Sequence, residues 1–143
     1  LSGRTVNNAG TGGENSSCIM ARQGADVMLV NNITIPADAT PVQVATYNEP
    51  FTTAFGKTVR PLLQGGGGHI NPVTIAGVEG TLKFTGSTYN DSTGVYTFTR
   101  TVAGDAVSVN RPTAVVTKAD KEWNNPHLMI IFMGQNDGNV DVD

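Results

Sequence analysis

The chain has 143 residues, about one domain's worth. Lys and Arg number 9 against 12 Asp and Glu, a net charge of −3, and charged residues make up 15% of the chain, against roughly 25% in an average soluble domain. The chain lacks the basic surplus with which nucleic-acid binders neutralise phosphates, and the charge density of an acidic disordered tail, so neither class is expected.

A single cysteine, Cys18, excludes an intrachain disulfide framework and a Cys-based zinc site. The longest apolar run, Leu128 to Met133, is far short of the roughly 20 residues of a bilayer span, so no membrane span is expected. No leader peptide is visible, but the chain begins at Leu1 without Met, which leaves its compartment open. Apolar residues are 38% of the chain and Gly numbers 17, with Thr, Val and Asn also frequent. That mixture favours pleated sheet joined by tight turns.

In chain order, Val6 to Ala9 is a short extended stretch, followed by the glycine turn Gly10-Thr11-Gly12-Gly13. Glu14 to Gly24 reads as one short helix, with Asn15 or Ser16 as its N-cap and Gly24 as the left-handed residue beyond its end. From Val27 the period becomes two: Val27, Leu29, Asn31, Ile33 and Ile35 alternate with Met28, Val30, Asn32 and Thr34. A turn at Pro36–Ala39 and a strand around Val42 and Val44 follow, then a weak strand at Thr58–Arg60. Gln64 to His69 holds four consecutive glycines and reads as a loop. Without a following Lys-Ser/Thr it is not a phosphate loop, and no cofactor is expected.

Val73–Ala76 and Thr81–Thr85 read as strands, the second with Leu82 and Phe84 on one face. Asn90–Gly94 is a strong turn signal. Val95–Thr101 places Tyr96 and Phe98 opposite Val95, Thr97 and Thr99. After a turn at Ala103–Asp105, strands at Val107 with Val109 and at Thr113–Thr117 complete a set suited to a small antiparallel barrel or sandwich. Ala119–Trp123 reads as a helical turn. Leu128–Met133, apolar without alternation, reads as a strand buried on both faces, as in a parallel sheet covered by helices. The two ends therefore look α/β and the middle all-β. The expected division is 1–24 and 126–143 as flanking α/β pieces, with 25–125 an inserted β domain.

Two motifs sit at those ends: Asn8-Ala9-Gly10-Thr11-Gly12-Gly13-Glu14-Asn15-Ser16, and Ile131-Phe132-Met133-Gly134-Gln135-Asn136-Asp137-Gly138. Together they resemble the second and third conserved blocks of the SGNH hydrolases, the GDSL-type esterase superfamily. The phrase Ala21-Arg22-Gln23-Gly24 and the segment Asn71–Gly80 are similar to bacterial esterases of that superfamily that carry a large insertion. The resemblance implies flavodoxin-like α/β flanks. It also implies that Gly13 lends a backbone N–H and Asn136 a side-chain N–H to an oxyanion hole. Such donors, about 2.7–3.1 Å from the oxygen on which charge develops, stabilise the transition state of ester hydrolysis. The implied substrate is an acyl ester, such as an acetylated glycan.

The chain departs from the family in its triad. It has no Gly-Asp-Ser, since Gly104-Asp105 is followed by Ala106, and no Asp-x-x-His follows the second motif. The expectation is an internal piece of an SGNH-type serine esterase, inactive alone. The alternative is a non-catalytic β module that binds carbohydrate, forms an active-site lid or makes an oligomer contact.

Other residues have two readings each. Ser16 and Ser17 suit a helix start better than a nucleophile, having no neighbouring base in sequence. His69 and His127 are too few and too far apart for a metal site, and Asp137, Asp141 and Asp143 lack the EF-hand spacing. No metal is expected. Tyr47, Tyr89, Tyr96 and Trp123 form either a sugar-stacking platform or core. With the nucleophile-bearing strand missing between them, the two terminal strands would keep unpaired edges, a route to a homo-oligomer.

Overall fold

The computed structural model describes residues 7–8, 10–61, 72–123, 125, 128–131 and 134–137. His69, His127, Gly65–Gly68, Asn71, Asp141 and Asp143 lie outside the described residues.

Helix α1 spans Ser16–Arg22. Asn15, in extended conformation, is the N-cap, and its side chain accepts from Cys18 N at 2.9 Å. Gln23 closes the helix and Gly24 follows with φ of 80°. Glycine is required there twice over: the backbone is left-handed, and a Cβ would run into the Asp120 carboxylate. Cys18, Ala21 and Arg22 are the buried residues of α1, the i, i+3, i+4 spacing of one helix face.

Ten strands follow among the described residues: β1 Met28–Val30, β2 Ile33–Ile35, β3 Val42–Thr46, β4 Phe51–Thr53, β5 Thr58–Val59, β6 Pro72–Ile75, β7 Val78–Thr85, β8 Val95–Arg100, β9 Val107–Val109 and β10 Thr113–Thr117. Helix α2, Lys118–Trp123, follows β10 directly. Eight strands form one sheet in the order β3-β8-β7-β6-β10-β1-β4-β5, and β2 pairs with β9. The pairings are antiparallel, and the sheet curls into a half-barrel. The protein is therefore mainly β, as its composition indicates.

The alternating stretch expected from Val27 to Ile35 is two strands. Asn32 has φ of 54°, and the break there reverses the phase: β1 buries Met28 and Val30, whereas β2 buries Ile35. The chain leaves the large sheet at this point, because β1 lies between β10 and β4 while β2 pairs with β9. Strand β4 has no sequence signal of its own, since Phe51-Thr52-Thr53 is too short to display a period, yet Phe51 is in the core. Strand β6 is shifted by one residue from the expected Val73–Ala76, β7 begins three residues earlier than expected, and the two meet at the two-residue turn Ala76-Gly77, with φ of 50° and 82°. Two positive φ values give the type I′ turn that matches strand twist.

The gap between edge strands β3 and β5 is bridged by side chains. Arg60 Nε donates to Tyr47 O at 2.7 Å, with its guanidinium 4.7 Å from the Tyr47 ring centroid. Tyr96 donates its hydroxyl to Pro61 O at 3.1 Å. Within the core, Tyr96 packs edge-on against Phe51 at 5.1 Å and tilted against Phe84 at 4.7 Å. Arg100, at the end of β8, gathers the carbonyls of Val102, Pro36 and Asp105 at 2.7, 2.8 and 2.9 Å and holds the 101–106 loop against the 36–39 turn.

The expected strand at Leu128–Met133 is not formed over its described part. Residues 128–131 belong to no strand, and their side chains are 54–87% exposed. An apolar run becomes a doubly buried strand only if neighbours pair its edges and cover both faces. Among the described residues nothing pairs with it. The first motif's approach is also not a strand at residues 7 and 8.

Candidate functional site

The two motifs meet. On one side, Gly10 N donates to Asn8 Oδ1 at 3.0 Å, and the chain turns at Gly13 (φ 85°) into the start of α1. Between the turn and the helix stands Glu14, whose side chain is buried. It accepts from Arg22 Nε at 2.8 Å, and Arg22 Nη2 lies 2.6 Å from the same carboxylate oxygen. Burial of both charges is tolerable because they are paired and hydrogen-bonded. Arg22 also ties the helix to the sheet, since its carbonyl accepts from Thr117 Oγ1 of β10 at 2.5 Å.

On the other side, Gly134 has φ of 100° and its carbonyl accepts from Asp137 N at 3.3 Å, forming a turn that carries Asn136 and Asp137. Asn136 Nδ2 donates to Glu14 O at 3.3 Å. The Asp137 carboxylate accepts from both Ser16 N and Ser16 Oγ at 2.6 Å. These two bonds hold its carboxyl below the usual carboxylate range, and they place a negative charge at the first turn of α1, where the peptide dipoles favour it. Gly13 and Asn136 are both exposed, so an incoming ligand has access to either.

The helix-start role expected of Ser16 is modified: Asn15 is the cap, and Ser16 supplies two donors to Asp137. Asp137 as a partner for α1, and the Glu14–Arg22 pair, went unforeseen. The separation of eight residues, about two helical turns, was the available signal for the pair; for Asp137 there was none, because the contact spans more than a hundred residues.

Among the described residues the remaining candidates do not assemble; the side chain of Trp123 lies outside them. Tyr96 is core, Tyr47 lies under Arg60, and Tyr89 is exposed, so no common stacking platform forms from these three. Among the described residues no group of three or more His, Cys, Asp or Glu could hold a metal, and no helix is long and apolar enough to cross a membrane. An open depression of about 490 Å³ lies between the β6–β7 and β9–β10 turns, lined by Ala76, Ser108, Asn110, Arg111 and Thr113 among others, none of them in either motif. Comparison with protein-family models, curated proteins and solved structures finds no match to this chain.

Proposed function

We propose that the chain is the insertion-bearing internal part of an SGNH-type serine esterase, with flavodoxin-like flanks, in which Gly13 N–H and the Asn136 amide form the oxyanion hole. The observation that carries this reading is the Asn136 and Asp137 contact with Glu14 and Ser16. Two segments more than a hundred residues apart, each resembling one block of the family, lie side by side with Asn136 bonded to the residue next to Gly13.

The chemistry follows from that pairing. A serine supplied by a Gly-Asp-Ser block elsewhere in the complete protein attacks the ester carbonyl, and an Asp-His pair takes its proton. The carbonyl oxygen becomes an oxyanion and accepts from Gly13 N–H and Asn136 Nδ2. Collapse expels the alcohol, which receives the proton, and water then releases the acyl group by the same steps. The residues of this chain supply charge stabilisation and no proton transfer. Both donors are exposed, so an ester borne on a larger molecule has access to them.

The test is Asn136→Ala in the complete enzyme, assayed on an aryl acetate. Loss of one oxyanion donor lowers kcat by about 10²–10³, or roughly 2.7–4 kcal/mol. The isolated 143 residues should show no turnover above background. Unchanged turnover in the Asn136→Ala enzyme removes the esterase assignment and leaves a non-catalytic β module.

A further inference from the structure

We infer that Arg22 is the positioning residue for Asn136, acting through the buried carboxylate and the backbone carbonyl of Glu14. The inference rests on the esterase reading for its consequence in turnover, but not for its geometry.

The segment before α1 has little stiffness of its own. Gly10, Gly12 and Gly13 occupy three of its four positions before Glu14, and glycine has the largest backbone freedom to lose. What fixes its end is Glu14, whose side chain is 0% exposed and held by two contacts from Arg22, whose side chain is 1% exposed. Arg22 is fixed in turn from the last turn of α1, where its carbonyl accepts from Thr117. The same Glu14 that is anchored from below offers its carbonyl upward to Asn136 Nδ2. A path of four residues thus leads from β10 through α1 to the amide of Asn136.

The planar guanidinium reaches the carboxylate with two nitrogens at once. A lysine in its place keeps the compensating charge but presents a single point donor. The charge balance survives in Arg22→Lys, while the two-nitrogen hold on the Glu14 carboxylate is lost. Asp137 secures the neighbouring position by its own bonds to Ser16, so the 134–137 turn stays docked and the change is confined to the Asn136 amide.

The experiment is heteronuclear NMR of the 15N-labelled chain, comparing wild type with Arg22→Lys and with Glu14→Gln. The side-chain amide pair of Asn136 is the readout. The amide pair of Asn48, bonded to Ser92 O at 3.0 Å in a distant loop, is the internal reference. The Asn136 signals should shift and exchange faster with solvent in both variants, while those of Asn48 and the backbone amides of the core residues Ile75 and Val115 stay in place. Glu14→Gln leaves Arg22 without its buried counter-charge and is the variant at risk of not folding; Arg22→Lys then decides. Unmoved Asn136 signals in folded Arg22→Lys overturn the inference.

In the complete enzyme Arg22→Lys should lower kcat by about 10-fold to 10²-fold with KM unchanged, since misplacement of a catalytic group by ~1 Å costs up to that much. Movement of the Asn136 signals in a complete protein that hydrolyses no ester would uphold the positioning and remove the esterase assignment. Normal turnover with unmoved signals would remove the positioning alone.

Discussion

Gly80 in β7 sets how closely the half-barrel can close over its aromatic core. It is buried, opposite Arg100 on β8, and the ring of Phe98 lies diagonally across it. A Cβ on this residue would fall within the van der Waals envelope of Phe98 Cζ and Cε2 and 2.5 Å from Thr99 O. Normal carbon contacts are about 3.5–4.0 Å, so Gly80→Ala requires a ring displacement of roughly an ångström. Phe98 is 0% exposed, so its ring can shift only against its core neighbours. Overpacking of this kind costs about 1–3 kcal/mol, and the stiffer unfolded chain returns about 0.5–1 kcal/mol. The net loss is roughly 1.2 kcal/mol. With an unfolding entropy of roughly 0.3 kcal/mol/K for a chain of this length, Tm should fall by about 4 °C. Thermal and urea melts followed by far-UV circular dichroism measure it, with the urea m-value unchanged. The double-mutant cycle with Phe98→Leu isolates the cause: the shorter side chain relieves the ring clash but not the approach to Thr99 O, so a coupling of about 1 kcal/mol is expected. A Gly80→Ala chain as stable as wild type, or additive single and double losses, would refute the packing explanation.

Ala76, exposed in the I′ turn with φ of 50°, holds a conformation that favours Asn or Gly, so Ala76→Asn should raise stability by about 0.5–1 kcal/mol in urea melts; a lower midpoint would show that the turn is not held in that conformation. Cys18 is buried, burial pushes its thiol up, and its Sγ lies 3.5 Å from Arg60 O, so Ellman's reagent should leave it unmodified at pH 7.5 until denaturant is added. Prompt labelling of the folded chain would contradict the packing of α1. Asp137 has a folded pKa below its unfolded value, so its bonds to Ser16 contribute fully above the ordinary carboxylate range and are lost as pH falls through the depressed folded value. The Ser16 amide resonance should move over that acid window and be insensitive to it in Asp137→Asn; an identical pH profile in the two chains would sever the link.

Much of the fold is written in local sequence. Asn15 and Gly24 delimit α1 because a side-chain oxygen and a left-handed backbone are each needed at one point only. Tyr96 with Phe98, and Leu82 with Phe84, alternate with polar neighbours, and the buried or half-buried face follows directly. Asn90–Gly94 turns because Asp91 satisfies Ser87 and Thr93 within the loop itself. Gly13 and Asn136 were singled out by a resemblance, not by any period, and the contact of Asn136 with Glu14 beside Gly13 came only from the folded chain.

The tertiary structure decided what depends on distant partners. The burial phase reverses at Asn32 because the chain leaves β10 after β1 and joins β9 through β2. Phe51 becomes core because Tyr96 waits at 5.1 Å. Glu14 and Arg22, charged residues that composition assigns to the surface, are buried because each neutralises the other. Leu128–Ile131, apolar enough to be a strand, is none, since hydrophobicity alone supplies no hydrogen-bonding edge. Periodicity and turn chemistry act over a few residues and are complete in the sequence. Strand partners and the burial of a charge are long-range free energies, settled only when the whole chain has folded.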